Sequence, residues 1–291
     1  MPNVEENDLL LKLNQSYKSL SKGQKQLANY IMENYDRAAF ITASKMGRIV
    51  GVSESTVVRF AYALGYDGYP ELQKSLQELI RNKLTSVQRI QLTSELKQDD
   101  VLKSVLKADM ANIRATIDSI DNAAFSDSIN ALLNAERVYI IGVRSAAPLA
   151  QFLAYYLNFV LDNVITVNMI VSDAYESMVR ISANDVCVGI SFPRYSRRTI
   201  EALSFAKSRG AQLIAITDSV FSPLAELADH ALIARSDMAS FADSLAAPLS
   251  LINAIIVATS LQRKDEVFER FSLLENIWGR QNVYITKENG K

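Results

Sequence analysis

Two short segments of the sequence combine hydroxyl groups with arginine in a way that could bind an anion. One is Gly142-Val-Arg-Ser-Ala146, and the other is Ser191-Phe-Pro-Arg-Tyr-Ser-Arg-Arg-Thr199. A phosphate group is held by hydroxyl and backbone N–H donors together with positive charge, and a helix N-terminus supplies N–H groups and part of that charge. The candidate ligands for an anion are Arg144, Ser145, Ser191, Arg194 and Ser196, with Arg197 and Arg198 as further cations.

Two of these serines, Ser145 and Ser196, also have a purely structural interpretation. Serine is a preferred N-cap residue, and either side chain could serve only to begin a helix. Because two segments of similar composition each follow an apolar run, binding of an anion is the favoured interpretation.

A second set of polar residues, in the first quarter of the chain, is suited to nucleic acid. Short polar side chains and arginine read base edges in the major groove, whereas basic side chains and backbone N–H groups hold phosphates. We predict DNA contacts from Lys45, Arg48, Ser53, Glu54, Ser55, Thr56 and Arg59. The alternative is a helical hairpin whose polar face is simply solvated.

The segment before this set predicts a helix. Ser21 and Gln24 have the spacing of a capping box, and apolar residues at helical spacing extend the helix over 21–35. Pro70 suits the first turn of a further helix, so this part of the chain is expected to be all-helical.

The residues around the second set have the pattern of a helix-turn-helix. A short helical segment over 42–48 is followed by Gly51, and Ser53 can cap the next helix. The inward face of that next helix is predicted to consist of Val57, Phe60, Ala61 and Leu64. In a helix-turn-helix the second helix lies in the major groove of DNA.

From residue 137 onward, short apolar runs rich in β-branched residues alternate with longer helical segments. The predicted strands are 138–141, 164–167, 186–190, 213–216 and, less clearly, 231–233. This alternation predicts a parallel sheet covered by helices on both faces, a three-layer αβα arrangement. Ligands of such sheets bind beyond the carboxyl ends of the strands. The two anion-binding segments follow the first and third strands, where a ligand site is expected.

The length and composition limit the classes of protein that this chain can be. With 291 residues, two domains are expected, and 49% hydrophobic with 22% charged residues excludes collagen-like and wholly disordered chains. A single Cys and a single His exclude a disulfide framework and a zinc site built from Cys and His clusters. No metal or cofactor is expected.

The net charge of −1 conceals a difference between the two parts of the chain. Residues 1–90 carry 12 Lys and Arg against 9 Asp and Glu, whereas the remainder carries 19 against 23. A basic first part on a mildly acidic body is consistent with nucleic acid binding at that end.

The first part of the chain resembles a known family. Ile41-Thr-Ala-Ser and then GVSESTVVRFAYALGYDGYPEL are similar to the helix-turn-helix of RpiR-type bacterial transcriptional regulators, over about residues 9–85. The resemblance implies a DNA-binding domain and double-stranded operator DNA as its partner.

The second part, from about 137 to 263, resembles the SIS (sugar isomerase) domain, a phosphosugar-binding fold that RpiR-type regulators carry after their DNA-binding domain. Gly142-x-x-Ser145 is similar to the first SIS loop, and Ser191 with Ser196 is similar to the ends of its S-x-S-G-x-[ST] signature. Thr217-Asp-Ser is also typical. The resemblance implies that these three serines, Ser145, Ser191 and Ser196, hold a phosphate.

The sequence departs from the SIS pattern at three positions. Pro193 and Arg194 replace the middle Ser and Gly of the signature, and Arg144 stands where the family often has Gly. Hydroxyl donors are lost and guanidinium groups, which bind carboxylates and phosphates bidentately, are gained. We therefore expect an acidic effector, a phosphorylated sugar or sugar acid, that changes the affinity for DNA.

Two other functions are consistent with parts of the sequence. A phosphosugar isomerase would need a general base, for which Glu176 and Glu201 are candidates, whereas His230 is interpreted as structural. A protein-interaction module with a helical head would show no salt-dependent DNA binding. The DNA-binding segment makes a regulator without enzymatic activity the favoured interpretation.

The expected organisation is a helix-turn-helix domain over 1–83, a linker with helices over 84–122 and an SIS domain over 123–280. The apolar segment 245–263 is predicted to be a buried helix, because polar residues and a proline interrupt it. We expect a cytoplasmic homodimer or homotetramer on a palindromic operator, since two-fold symmetric regulators present two recognition helices to successive major grooves.

Overall fold

The chain folds into two compact units, Met1–Leu96 and Lys97–Lys291. The computed structural model describes residues 9, 12–13, 16–81, 87, 89–90, 100–168, 173–238 and 242–285, without the side chains of 36 and 77–81. The division between the units falls inside the segment 84–122 that the sequence assigns to a linker and helices, and most of residues 84–99 lie outside the described residues. The boundaries at 83 and 122 therefore stay a prediction.

The first unit is built from helices in its described part, as the sequence predicts. A short 3-10 turn at Tyr17–Ser19 precedes them. They are α1 (Lys22–Glu33), α2 (Tyr35–Ala38), α3 (Ala43–Val50), α4 (Glu54–Ala63) and α5 (Tyr69–Arg81). Their core consists of apolar side chains withdrawn from solvent, among them Leu27, Ile31, Met46, Val57, Phe60, Ala61, Leu64, Leu72 and Leu76. The four residues predicted for the inward face of α4 are all in this core.

The first helix begins as predicted and ends earlier than predicted. Ser21 and Gln24 form the capping box, in which the Ser21 N–H donates to the Gln24 side-chain oxygen at 3.0 Å. The helix was expected to continue to residue 35, but Asn34 adopts φ −135° and ψ 39°, outside the helical region. Asn34 has a low helix propensity and its side chain donates back to the carbonyl oxygen of Tyr30, which favours termination.

The second unit contains the predicted parallel sheet. Its strands are β1 (Val138–Gly142), β2 (Val164–Thr166), β3 (Val186–Ile190), β4 (Gln212–Thr217) and β5 (His230–Ile233). They lie in the order β2-β1-β3-β4-β5 and every neighbouring pair is parallel. All five predicted strands are confirmed within one or two residues at each end.

Helices accompany the sheet in the same unit. They are α6 (Val101–Ser119), α7 (Asn122–Asn134), α8 (Ala147–Leu157), α9 (Ala174–Ser177), α10 (Arg197–Ser208), α11 (Ala246–Gln262) and α12 (Lys264–Gln281). The apolar segment 245–263 is the helix α11, and Leu251, Ile252 and Ile255 on it are buried. Within the described part of the chain, none of the helices has the length and apolar character needed to cross a bilayer.

Side chains alternate between the two faces of the sheet, which makes the unit three-layered. Ile140 and Val188 belong to one apolar core together with residues of α7, α8 and α11. Tyr139, Ile141 and Cys187 belong to a second core with residues of α9 and α10. Because successive strand residues point to opposite faces, this is the αβα arrangement that the alternation of strands and helices predicts.

The helix α6 is attached to the sheet through the segment that follows β5. The buried Asn112 amide donates to the carbonyl oxygen of Asp237 at 2.9 Å and accepts from the Asp237 N–H at 3.1 Å. The Thr116 hydroxyl accepts from the Arg235 N–H at 2.9 Å. Since β5 is an edge strand, these side chains satisfy backbone groups that continue beyond the sheet.

Candidate functional site

The turn between α3 and α4 brings the two helices very close together. Gly51 ends α3 in the left-handed conformation, with φ 79°, which glycine adopts without steric cost. The N–H groups of Gly51 and Val52 both donate to the carbonyl oxygen of Gly47, at 2.9 and 2.8 Å. A Cβ on Gly47 would lie 2.7 Å from the Val52 carbonyl oxygen. Only glycine at position 47 allows this approach, so the sequence fixes how the second helix follows the first.

Ser53 begins α4 as predicted, and its hydroxyl group is central to the first turn. The Ser53 Oγ accepts from the Thr56 N–H at 3.3 Å and lies 2.9 Å from the hydroxyl oxygens of Ser55 and Thr56. Ser53 is therefore a structural cap as well as a candidate DNA contact. The cap holds the first turn of α4 in a single hydroxyl-rich arrangement.

The residues predicted to contact DNA lie on α3 and at the start of α4. Thr56 is half-buried, whereas the other six residues (Lys45, Arg48, Ser53, Glu54, Ser55 and Arg59) are exposed. The Arg59 Nε donates to the Ser55 carbonyl oxygen at 3.3 Å, which holds the guanidinium group along the first turn. The surface has the composition required for groove contacts, and the role of each residue in DNA binding stays a prediction.

In the second unit, a cavity of about 590 Å³ lies at the carboxyl ends of β1 and β2 and beside the start of α10. This volume lies within the range of about 300–1,000 Å³ that small-molecule sites occupy. The lining consists of Gly142, Val143, Arg144, Ala147, Ala150, Gln151, Thr166, Val167, Asn168, Tyr195, Ser196, Arg197 and Arg198.

The structure distributes the five predicted anion ligands differently around this cavity. Arg144 and Ser196 line it, whereas Ser145 and Arg194 are exposed and do not belong to the lining. Ser191 is 4% exposed, and its Oγ accepts from the Ser196 N–H at 3.1 Å. Ser191 therefore holds the loop that leads into α10, and binding of an effector by any of the five residues stays a prediction.

The capping interpretation of Ser145 and Ser196 is not supported by the geometry. Ser145 lies within a 3-10 turn, Arg144–Ala146, and the N-cap of α8 is Ala146. Ser196 is the N-cap of α10, but its side chain makes no capping hydrogen bond. Its hydroxyl group is thus not used to begin the helix beside the cavity.

Several lining residues were missed by the sequence interpretation. Thr166 is the last residue of β2, Asn168 lies two residues after it, and Gln151 lies on α8. The signal for the first two was available, because the carboxyl end of a predicted strand was already expected to carry ligand-binding residues. Tyr195 also lines the cavity, and its hydroxyl group donates to the buried carboxylate of Asp218 at 2.8 Å.

The two loops that flank the cavity contain strained backbone. Arg144 has φ 57° and Arg194 has φ 64°. A left-handed conformation costs a residue with a Cβ about 1–2 kcal/mol relative to its normal conformation. At these two positions the sequence has arginine where the SIS pattern favours glycine. The backbone there keeps the left-handed conformation that glycine would adopt, although the residue is arginine.

The cavity is electropositive. Three of its lining residues are arginine, and no Asp, Glu or His occurs among the described lining residues. Arg197 is paired with Glu201, whose carboxylate lies 2.7 Å from the Arg197 Nε. Arg144 and Arg198 are exposed, and neither forms an ion pair with a described residue. The site is therefore suited to an anion, and the described part of its wall contains no carboxylate or imidazole base.

The residues considered for isomerase chemistry lie elsewhere in the unit. His230 begins β5, at the edge of the sheet opposite to the cavity, and its Nε2 lies 2.8 Å from the Gln212 Nε2. Glu176 lies on α9 outside the cavity lining, and Glu201 is held by Arg197. Among the described residues there is also no group of three or more side chains suited to hold a metal ion.

Two family models match the chain in the order that the sequence resemblance predicts. Residues 7–83 match the helix-turn-helix domain of the rpiR family, and residues 131–258 match the SIS domain. The chain belongs to the RpiR-type transcriptional regulators. The predicted fold class and the predicted regulator function are both confirmed.

Relatives with the same organisation cover most of the chain. An uncharacterized HTH-type transcriptional regulator of Haemophilus influenzae is 27% identical over 79% of this chain and 81% of its own. The HTH-type transcriptional regulator HexR of Escherichia coli is 26% identical over 77% of each chain. Both relatives are named as HTH-type transcriptional regulators, which supports DNA binding by the present chain.

Solved structures show the same fold. The NanR protein of Vibrio vulnificus, in complex with ManNAc-6P, has a TM-score of 0.55 at 23% identity and covers 92% of this chain and 98% of its own. The sugar isomerase domain of an RpiR transcription factor from Sphaerobacter thermophilus has a TM-score of 0.59 at 24% identity and covers 61% of this chain and 99% of its own. The second unit is thus an SIS fold by structure as well as by sequence.

Proposed function

We propose that this RpiR-type regulator binds a phosphorylated sugar or sugar acid in the cavity of its SIS domain and that this effector changes its affinity for operator DNA. The observation that carries the proposal is the cavity at the carboxyl ends of β1 and β2, which is lined by three arginines and by no acidic residue among those described. The complex of the NanR protein with ManNAc-6P supports a phosphosugar as the class of effector.

The effector signal has a physical route towards the DNA-binding unit. Residues 234–238 follow the carboxyl end of β5, and because all five strands are parallel, the loops that line the cavity also lie at the carboxyl ends of their strands. Asn112 and Thr116 of α6 are hydrogen-bonded to the backbone of this segment, and α6 begins shortly after the boundary between the two units. A shift of residues 234–238 would therefore move α6, whose N-terminal end leads to the DNA-binding unit.

A regulator without catalytic activity is the better interpretation of the cavity. Aldose–ketose isomerisation requires a general base within hydrogen-bond reach of the substrate carbon acid. No Asp, Glu or His belongs to the described lining, and His230 lies at the opposite edge of the sheet. A phosphosugar isomerase remains the alternative, and turnover of the effector by the purified protein would favour it.

Self-association is part of the proposal. No residue of α12 is buried in the single chain, although Phe268, Leu273 and Ile277 on it are large apolar side chains. These side chains leave apolar surface exposed on an 18-residue helix, and exposed apolar surface of this kind marks sites of protein–protein contact. We infer that the regulator acts as a homodimer or homotetramer in the cytoplasm, in which α12 contacts a second copy.

The proposal is tested by measuring DNA binding with and without effector candidates. An operator fragment is first selected from random duplexes, and its binding is followed by fluorescence anisotropy at fixed salt, since phosphate contacts make the affinity strongly salt-dependent. A panel of phosphorylated sugars and sugar acids is then added. We expect at least one compound to shift the operator affinity, and light scattering to show an even number of chains per complex.

Two variants separate the functions of the two units. Arg59→Ala is expected to weaken operator binding while leaving effector binding unchanged, because Arg59 lies on α4 of the first unit. Arg198→Gln is expected to weaken effector binding and to leave operator binding without effector unchanged, because Arg198 lines the cavity. If no phosphorylated compound binds, or if operator binding responds to none of them, the proposed effector class is wrong.

A further inference from the structure

The cavity contains more positive charge than a phosphate group requires. Arg144 and Arg198 contribute two full charges without an ion-pair partner among the described residues. The N-termini of α8 and α10 also lie at the cavity, and each adds about half a positive charge. A phosphate monoester carries about 1.5 to 2 negative charges near neutral pH. A surplus of about one positive charge remains for a second anionic group.

The start of α10 is the better place for the phosphate. The first N–H groups of a helix have no partner within the helix, and they point towards the N-terminal side. At α10 the Ser196 side chain makes no capping hydrogen bond, and Ser196, Arg197 and Arg198 all line the cavity. A phosphate here would meet backbone N–H groups, a hydroxyl group and the guanidinium of Arg198.

The start of α8 offers far fewer backbone donors. The Ala146 N–H donates to the Val143 carbonyl oxygen at 3.2 Å, and the Ala147 N–H donates to the carbonyl oxygen of Arg144. Pro148 follows at the beginning of the helix and has no N–H group. The charged donor on this side is the Arg144 side chain, which lines the cavity together with the neutral amide of Gln151. Its planar guanidinium matches a carboxylate in a bidentate arrangement.

The backbone conformation of Arg144 indicates that its side chain does not stabilise the fold. Its φ of 57° lies in the left-handed region, which glycine would occupy without strain. At position 142, two residues earlier, glycine is required for a steric reason, since a Cβ there would lie 2.8 Å from the Ala146 carbonyl oxygen. Arg144 is exposed, so its side chain contributes no buried packing that would compensate for the strain. Strain of this kind is retained where a ligand uses the residue.

We propose that the effector is a phosphorylated sugar acid whose carboxylate is bound by Arg144, while its phosphate is bound at the start of α10 by Ser196 and Arg198. This inference rests on the proposed function, because it names the chemical class of the effector in the same cavity. The Arg144 side chain then discriminates between acidic and neutral phosphosugars.

The test uses pairs of compounds that differ in the carboxylate. Glucose 6-phosphate is compared with 6-phosphogluconate, and N-acetylglucosamine 6-phosphate with N-acetylmuramic acid 6-phosphate, by isothermal titration calorimetry at constant ionic strength. In at least one pair, the acidic compound is expected to bind the wild-type protein at least tenfold more tightly. Inorganic phosphate and gluconate serve as probes of each group alone.

Three variants assign the preference to residues. Arg144→Gly is expected to fold, because glycine suits the left-handed backbone, and to remove the preference for the acidic compound while the neutral phosphosugar changes less than threefold. Arg198→Gln should weaken both members of a pair by a similar factor. Arg180→Gln, at an exposed position outside the cavity lining, is the matched control and should change neither.

Each outcome distinguishes this inference from the proposed function. Equal affinity for both members of both pairs, or a preference that survives Arg144→Gly, overturns the assignment of a carboxylate to Arg144 and leaves a phosphosugar effector intact. Failure of every phosphorylated compound and of inorganic phosphate to bind overturns both.

Discussion

Replacement of Gly47 by alanine is expected to disrupt DNA binding more than it disrupts folding. Gly47 lies in α3, directly against the turn that leads into α4. A Cβ at this position would lie 2.7 Å from the Val52 carbonyl oxygen and 3.4 Å from the Glu54 nitrogen. Both atoms belong to the backbone, so no side-chain rotation can relieve the clash, and α4 has to move away from α3.

The size of the effect follows from two opposing contributions. Ordinary contact begins near 3.4 Å, so the helices must separate by about 0.7 Å. Overpacking of this kind costs about 1–3 kcal/mol, whereas alanine improves the helix propensity by about 1 kcal/mol relative to glycine. We expect a net loss of about 1 kcal/mol in the stability of the first unit. A displaced recognition helix also loses at least one base contact, worth about 1–3 kcal/mol, and thus about fivefold or more in operator affinity.

The measurement combines operator affinity with local stability. Fluorescence anisotropy on the selected operator gives the affinity, and hydrogen exchange of peptides from α3 and α4 reports the stability of the first unit separately from the second. Gly279→Ala is the matched control, because Gly279 is also helical but a Cβ there meets nothing within 4 Å. Since Gly279 lies on α12, light scattering of this variant checks that its oligomeric state is unchanged. Gly23→Ala is a milder test, since its Cβ would meet only the methyl groups of Val52 and Thr56, at 3.3 and 3.5 Å.

The reasoning is refuted if Gly47→Ala behaves like Gly279→Ala. That result would be unchanged operator affinity together with greater protection of α3, as expected from helix propensity alone. The close approach of α3 to the Val52 carbonyl group would then not control the position of α4.

Four further variants test other residues of the chain. Arg59→Ala should cost about 1–3 kcal/mol in binding to the operator and relax sequence specificity, as expected for a base contact. Lys45→Ala should weaken binding to operator and random DNA alike, and should lower the slope of log affinity against log salt concentration by about one, as expected for a phosphate contact. Titrations of both variants at several salt concentrations check both expectations. Asn112→Ala removes both hydrogen bonds to the Asp237 backbone and should destabilise the attachment of α6 by about 1–3 kcal/mol, seen as faster hydrogen exchange in α6. Burial raises the pKa of the Cys187 thiol from 9.0 to about 12, so the thiol ionises first in the unfolded chain, and the free energy of unfolding should fall by about 1 kcal/mol between pH 8 and pH 10. Denaturant titrations of Cys187→Val should lack the part of the fall that this group causes.

Much of the fold could be predicted because local rules decide it. The strands follow from runs of β-branched apolar residues, and the helix starts at Ser21 and Ser53 follow from side chains that accept backbone N–H groups a few residues later. The end of the first helix at Asn34 was missed, because apolar spacing continues to residue 35 while the backbone does not. Helix ends depend on local backbone geometry that periodicity does not report.

The composition of the effector cavity could be predicted only in part. Arg144 and Ser196 were identified because they follow predicted strands, and both line the cavity. Thr166 and Asn168 were missed, because the helix α8 separates β2 from β1 in the sequence and nothing in the sequence pattern shows that the two strands are neighbours in the sheet. The order of the strands in the sheet decides which loops lie side by side at the site, and the sequence pattern of a single strand does not show that order.

The sequence by itself determined the two classes of domain, their order along the chain, the turn at Gly51 and the positive charge of the loops that follow β1 and β3. Each of these depends on a few neighbouring residues and their intrinsic preferences. The tertiary structure alone decided that Ser191 holds the loop while Ser196 faces the cavity, and that Arg144 occupies a strained backbone. Those outcomes depend on side chains and backbone groups that come together only when the parallel strands pair, because residues distant in the sequence then compete for the same hydrogen bonds and the same space.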